Sequence, residues 1–238
     1  MQFWTLKHSR KVNRRMWKLL QMSASLSMEQ RLRLVPLVNT LTVQTTANTL
    51  THTAYRIMRS PEILEKLQAE LDAAYPSADE PMSQVKLESL PYLTAVIHEG
   101  LRISIGVSTR LPRTVPSEGF VYDKYHLPRG TQVGMSSLSM LTDPEIYPSP
   151  EFFQPDRWLG PNKPPEKYFV PFSKGSRQCL GMNLAWCELY ITIAVMFRRF
   201  NFEIIDTEDK DMTVTHDFFN AWTDIDAKKL QAIATSRI

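Results

Sequence analysis

Two cysteines, Cys179 and Cys187, are all that the 238 residues contain. That is too few for a disulfide framework or for a paired zinc knuckle, so the chain reads as one from a reducing setting. Long hydrophobic runs are missing too. No apolar stretch reaches the roughly 18 residues of a membrane span, and residues 1–9 are too polar for a signal peptide, so nothing in the sequence itself is expected to anchor or export the chain. None of the five histidines stands at metal-ligand spacing from a partner, which leaves them structural or solvated. Gly-x-Gly-x-x-Gly, phosphate-loop and Ser-His-Asp patterns are absent, as is any repeat.

What is present is a globular composition. At 43% hydrophobic residues the chain can bury a core as one large domain or two small ones. The net charge of +3 is unevenly spread, because residues 1–34 hold eight Lys or Arg against the single Glu29. A basic start can serve nucleic acid or an anionic surface. Here Trp4, Trp17, Leu19 and Leu20 recur among the charges as on an amphipathic helix, and no nucleic-acid recognition motif accompanies them, so no nucleic-acid partner is expected.

Start signals and periodicity divide the chain. Residues 1–25 read as a basic helical lead-in. A capping box, Ser27 to Gln30, opens a long helix assigned to 26–58, with Pro36 as a kink or a later true start. Ser60-Pro61-Glu62 starts a second helix to Ala74, and a third spans 92–102. Short β-type runs at 111–115, 120–122 and 131–135 predict one small antiparallel sheet, with Leu127-Pro128-Arg129-Gly130 as a type I turn. A short helix is expected over 135–141, then a proline-dense meander to Pro171. After a helix over 182–199, which carries Cys187 as a packed residue and closes on Arg198-Arg199, the tail 200–238 reads as strands joined by turns.

The chemistry concentrates in Phe172-Ser173-Lys174-Gly175-Ser176-Arg177-Gln178-Cys179-Leu180-Gly181. A thiol just ahead of a helix start meets unpaired N–H donors and the positive end of the helix dipole, which favours its thiolate. Gly175 and Gly181 allow positive φ or a backbone lying flat against a planar ligand, and Arg177 offers a fork of donors to a carboxylate. The pattern Phe-x-x-Gly-x-Arg-x-Cys-x-Gly, filled at every fixed position, resembles the haem-binding loop of the cytochrome P450 family. The resemblance implies Cys179 as axial thiolate ligand of haem iron, with Phe172, Gly175, Arg177 and Gly181 shaping the cofactor site.

Three further stretches are similar to that family. Thr45, within Leu41-Thr42-Val43-Gln44-Thr45-Thr46, falls on the threonine that manages water and oxygen over the iron, although Leu41 and Thr42 replace an Ala-Gly pair and Gln44 replaces an acid. Thr45 and Gln44 are the implied catalytic pair; the same residues read without the resemblance are hydroxyls bonding back one turn along a helix. Glu99 and Arg102 match the family's Glu-x-x-Arg helix, expected to form a buried network with Arg157 of Pro155-Asp156-Arg157-Trp158 and so to brace the haem loop. By spacing alone they are a helix-surface pair. Arg113 is implied as a second propionate contact, with an exposed strand arginine as the alternative.

The resemblance thus implies an α+β fold, mainly α with small antiparallel sheets, corresponding to the carboxyl-terminal portion of the family's fold. It implies a haem-thiolate monooxygenase taking O2, an apolar small molecule and electrons from NADPH-cytochrome P450 reductase. Residues 172–198 and Asp217-Phe218-Phe219 are most similar to fungal members that oxidise secondary metabolites of terpenoid or polyketide type. Full-length eukaryotic relatives usually reside at the endoplasmic reticulum membrane. The other reading left open is a truncated chain without turnover.

Overall fold

The computed structural model describes residues 44–77 and 80–237. The lead-in 1–25, the capping box at Ser27, Pro36, Leu41 and Thr42 lie outside the described residues. Helix α1, residues 44–58, ends where the long helix was expected to end. Helix α2, Pro61–Ala74, starts on its proline, yet the Ser60 side chain makes no cap bond; its carbonyl accepts from the Ile63 and Leu64 N–H groups instead. A helix that the sequence reading did not anticipate, α3 (Gln84–Glu88), is capped by Ser83, whose hydroxyl accepts from the Lys86 N–H at 3.3 Å. Among the described residues no helix is long and apolar enough to cross a membrane.

Helix α4, Pro91–Ser104, is the centre of the molecule. It runs one residue earlier and two later than expected, and buries residues on nearly every side, Leu93, Val96, Ile97, Glu99 and Arg102 among them. Gly100 lets α1 approach closely, since a Cβ there would lie 2.1 Å from Thr53 Oγ1. The helix stops at Ile105, whose φ of 45° is left-handed. Helix α5 is Ser137–Leu141, and α6, Met182–Arg199, packs Leu189, Ile193, Ala194 and Phe197 into the same core as Leu67, Leu71 and Leu93. Arg198, expected to serve the helix end, is buried: its Nε donates to Tyr75 O at 2.9 Å and lies 3.3 Å from Asp72, which also holds Arg237 through both carboxylate oxygens.

The strands differ from expectation in their pairing. The single sheet predicted over 111–135 is two separate antiparallel pairs, β1 (Arg113–Thr114) with β4 (Gln132–Val133) and β2 (Phe120–Tyr122) with β3 (Tyr125–Leu127). The turn before β4 is shifted by one residue from the predicted type I turn: the Thr131 N–H reaches Pro128 O at 3.2 Å, which puts Gly130 third, at φ 85°. In the tail, β5 (Phe200–Ile205) pairs antiparallel with β8 (Gln231–Ser236), and β6 (Val214–Phe218) forms a hairpin with β7 (Asn220–Thr223). The mainly α architecture with small antiparallel sheets is as expected. The proline-dense stretch contains two 3-10 turns, Pro155–Trp158 and Glu166–Tyr168.

Two outcomes follow from α1. Gly100→Ala should cost about 1 to 3 kcal/mol in urea unfolding, as overpacking does, with part of the loss recovered in a Gly100→Ala/Thr53→Ala double variant because the clashing atoms are gone. His52, buried on α1, is pushed down to about 4 by desolvation first and Arg56 second. Its folded pKa lies below the unfolded 6.5, so its stabilising contribution is complete above pH 6.5 and drains as pH falls toward 4. Thermal melts across that window should show a loss of up to about 3 kcal/mol, and His52→Leu should flatten that slope.

Candidate functional site

The loop ahead of α6 is closed by its own backbone. The Cys179 N–H donates to Phe172 O at 2.9 Å, and the Gln178 N–H to Gly175 O at 3.2 Å. Ser173 and Gly175 both take left-handed φ, 59° and 79°, so the conformational freedom expected of Gly175 is used. Gly181 is different. It caps α6 at φ −82°, an ordinary conformation, and a Cβ there would meet no atom within 4 Å. Its contribution is clearance rather than handedness. Cys179 is solvent-accessible, three residues before the first residue of α6.

Opposite this loop stands α1. Thr45, Thr46 and Thr49 line a cavity of about 360 Å³ together with Phe172, Arg177, Cys179 and Gly181, so two stretches far apart in sequence face one space. The remaining walls are chiefly apolar: Leu101 of α4, Val107 and Leu111 beyond it, Leu184 and Leu189 of α6, and Phe219 from the β6–β7 turn. Thr49 Oγ1 shares a 3.0 Å hydrogen bond with Ser104 Oγ, which ties the α1 wall to α4. Gln44 is half-buried and does not line the cavity. Arg113 also stands apart: it is exposed on β1, and its Nη1 donates back to the carbonyls of Leu111 and Pro112, each at 3.1 Å. Sequence reasoning missed Thr49, the 106–111 segment and Phe219. The hydroxyl density of residues 42–49 hinted at the first of them, and the likeness of Asp217-Phe218-Phe219 to fungal members touched the last without assigning it a role.

The ion network stands apart from the cavity lining. Glu99 and Arg102 are 0% exposed and meet through two bonds, Nε to Oε2 at 2.9 Å and Nη2 to Oε1 at 2.8 Å. Arg157 Nε reaches Glu99 Oε1 at 3.1 Å, as the network reading required. The same carboxylate also accepts from the Gln154 N–H at 2.9 Å and from Trp158 Nε1 at 2.8 Å, two donors the sequence did not announce. Arg102 spends its other donors on the carbonyls of Leu141, Pro150 and Phe152.

Aromatic rings connect this network to the cysteine loop. Trp158 meets Phe169 edge-on at 5.0 Å, and His98 lies about 5 Å from each of Trp158, Phe169 and Trp186. Trp186 in turn touches Phe172, the first residue of the loop, at 5.8 Å. His98 Nδ1–H donates to Thr94 O at 2.8 Å, and burial pushes its pKa below the ordinary value, so the ring packs as a neutral aromatic. From Glu99 to Phe172 at the start of the Cys179 loop there thus runs a chain of packed rings, mostly tilted or edge-on.

The donor set suits a haem. One accessible thiol, one guanidinium and a glycine with open space before it face a cavity whose other walls are mostly apolar. A family model described as Cytochrome P450 matches residues 6–223. The chain is 42% identical over 202 residues to the cytochrome P450 monooxygenase sdnE of Sordaria araneosa, covering 82% of this chain and 39% of that protein. It is 44% identical over 190 residues to the tryptophan 6-hydroxylase fscE of Fusarium equiseti, covering 79% and 37%. With the N-acetyltryptophan 6-hydroxylase ivoC of Emericella nidulans the figures are 42% over 182 residues, 74% and 35%. The chain thus spans little more than a third of the length of the curated relatives it matches.

Removing one partner of the buried network leaves a stranded charge, so Arg102→Ala should cost about 3 to 5 kcal/mol in urea unfolding. Lys66, whose ion pair with Asp156 at 3.0 Å is solvent-exposed, is the control: Lys66→Ala should cost less than about 1 kcal/mol.

Proposed function

The chain belongs to the cytochrome P450 family, and from that premise we propose that it acts as a haem-thiolate monooxygenase on an apolar small molecule of fungal secondary metabolism, of the terpenoid or polyketide type. The observation that carries this reading is the shared cavity: Cys179 and Arg177 on one wall, Thr45 and Thr46 on the other, with mainly hydrocarbon between. Relatives that are named as monooxygenases and hydroxylases support it.

Cys179 would hold the haem through its sulfur, Arg177 would give its guanidinium to a propionate, and Gly181 and Phe172 would border the ring. When bound, a thiolate-ligated haem supplies the activation of O2 and the transfer of one oxygen atom to a C–H bond, the thiolate donating the electron density that favours O–O cleavage. The two electrons that such chemistry consumes would come from NADPH-cytochrome P450 reductase, proposed at the endoplasmic reticulum membrane, and the two protons would pass through residues of this chain. The chain's own task is to place the substrate and deliver those protons. Leu101, Val107, Leu111 and Phe219 exclude water from the reacting carbon. The Thr45 hydroxyl, both donor and acceptor, holds a water and passes its proton inward. Gln44 stands outside the cavity lining, and as an amide that does not titrate near neutral pH it supplies no proton of its own.

In the reduced, carbon monoxide-treated full chain, the red-shifted absorption of a thiolate-ligated haem is the expected result, and Cys179→Ala should abolish it. Haem uptake with an unchanged spectrum in that variant would refute the assignment. Thr45→Ala should keep the absorption while diverting consumed O2 toward peroxide, with about a 10²-fold loss of product formation, the low end for a lost proton-transfer group.

A further inference from the structure

The β6–β7 hairpin carries a conformation that its ladder does not demand. Phe218 pairs with Asn220, so Phe219 alone makes the turn, and it does so at a left-handed φ of 76°, where glycine is the ordinary residue. Such a residue persists only where its surroundings hold it. Here the holding groups are visible. Asp217 Oδ1 accepts three hydrogen bonds: from the Phe219 N–H at 3.1 Å, from Ser108 Oγ at 2.7 Å and from Thr109 Oγ1 at 2.7 Å. The Ser108 N–H completes the joint by donating to Phe219 O at 3.2 Å. On the other side Asn48 Nδ2 of α1 reaches Ala221 O at 3.5 Å.

The two neighbouring phenylalanines are thereby sorted. Phe218 lies outside, stacked on His216 with ring centroids 5.4 Å apart. Phe219 goes to the cavity wall, beside Val107 and Leu111 of the very segment that the latch grips. The geometry points to Asp217 as a positioning residue for substrate selection: by clamping the hairpin turn to residues 106–111 it fixes the Phe219 ring as a wall of the cavity, and so limits the bulk of the molecule that enters. This rests on the reading of the cavity as the haem and substrate site. Hydrogen bonds to an ionised acceptor are about twice as strong as neutral ones, and the Thr109 and Ser108 hydroxyls, in that order, keep the Asp217 carboxyl below the usual carboxylate range. The clamp is therefore charged at neutral pH.

The test is a spectral titration of the haem-loaded full chain with imidazole, phenylimidazole and biphenylylmethyl-imidazole, beside hydrogen exchange of residues 106–111 and 214–223. Asp217→Ala should raise exchange in both segments and shift the affinity ratio about tenfold toward the bulky probe, the scale of a reshaped apolar pocket. Ser108→Ala/Thr109→Val, which keeps the carboxylate and removes only two hydroxyls, should do the same. Phe219→Gly removes the ring and tolerates the left-handed φ, so it should shift the ratio equally while leaving residues 106–111 protected. An unchanged ratio in these variants, with normal imidazole binding by the wild type, overturns the latch alone. Absence of any imidazole-induced shift in the wild type overturns the cavity reading, and the latch falls with it.

Discussion

The rest of the structure hangs on the buried carboxylate of Glu99. A carboxylate removed from water costs several kcal/mol unless its lone pairs are filled, and here five donors fill them: two from Arg102, one each from Arg157, the Gln154 backbone and Trp158. The compensation works only if all five converge. Four of those donors sit on two segments, α4 and the 3-10 turn Pro155–Trp158, and satisfying the charge therefore fixes the turn against the helix. Arg102 extends the same demand to the carbonyls of Leu141, Pro150 and Phe152. A stretch with little regular structure of its own, which would otherwise wander, is held by one anion.

From that anchor the constraint passes outward by contact. Trp158 is both a donor to Glu99 and a member of the ring cluster with His98, Phe169 and Trp186, and Phe172 begins where the cluster ends. Close packing of rings transmits position well because interiors have little free volume to absorb a shift. His98 belongs there as a neutral ring, because burial strips an imidazolium of its water and pushes the pKa down. The Cys179 loop thus inherits its placement from a charge network that does not itself line the cavity.

How much of this could be read beforehand depends on how local the signal was. Pro61–Ala74 was legible because proline at the first turn and the spacing of Ile63, Leu64, Leu67 and Leu71 are both written within one segment. The cysteine loop was legible for the same reason, every fixed position lying within ten residues. By contrast β3 went unseen because Tyr122-Asp123-Lys124-Tyr125 lacks the glycine that usually marks a two-residue hairpin; Asp123 takes the left-handed φ of 52° instead. Helix α3 offered only one buried residue, Leu87, as a periodic signal. Gln154 had no local mark at all, and Phe219 was marked only as part of Asp217-Phe218-Phe219, with no role assigned. One acts through its backbone, and the other differs from Phe218 only by the side of the hairpin it faces.

The left-handed residues explain why such positions escape a local reading. Ile105, Ser173 and Phe219 all adopt positive φ without being glycine; Ser173 and Phe219 line the cavity, and Ile105 leads into Gly106, which does. Each such residue costs about 1 to 3 kcal/mol, so none would be chosen by its own segment. Phe219 is held from outside it, by the grip of Ser108 and Thr109 on Asp217, whereas Ile105 ends the helix that carries Glu99 and Arg102, and Ser173 lies within the loop that the Cys179 N–H closes on Phe172. A regular helix or strand cannot turn side chains from α1, α4, α6 and a hairpin toward one small volume. Sharp corners can, and the regular frame behind them offsets their strain, so the shape of the cavity is a property of long-range contacts rather than of any single stretch of chain.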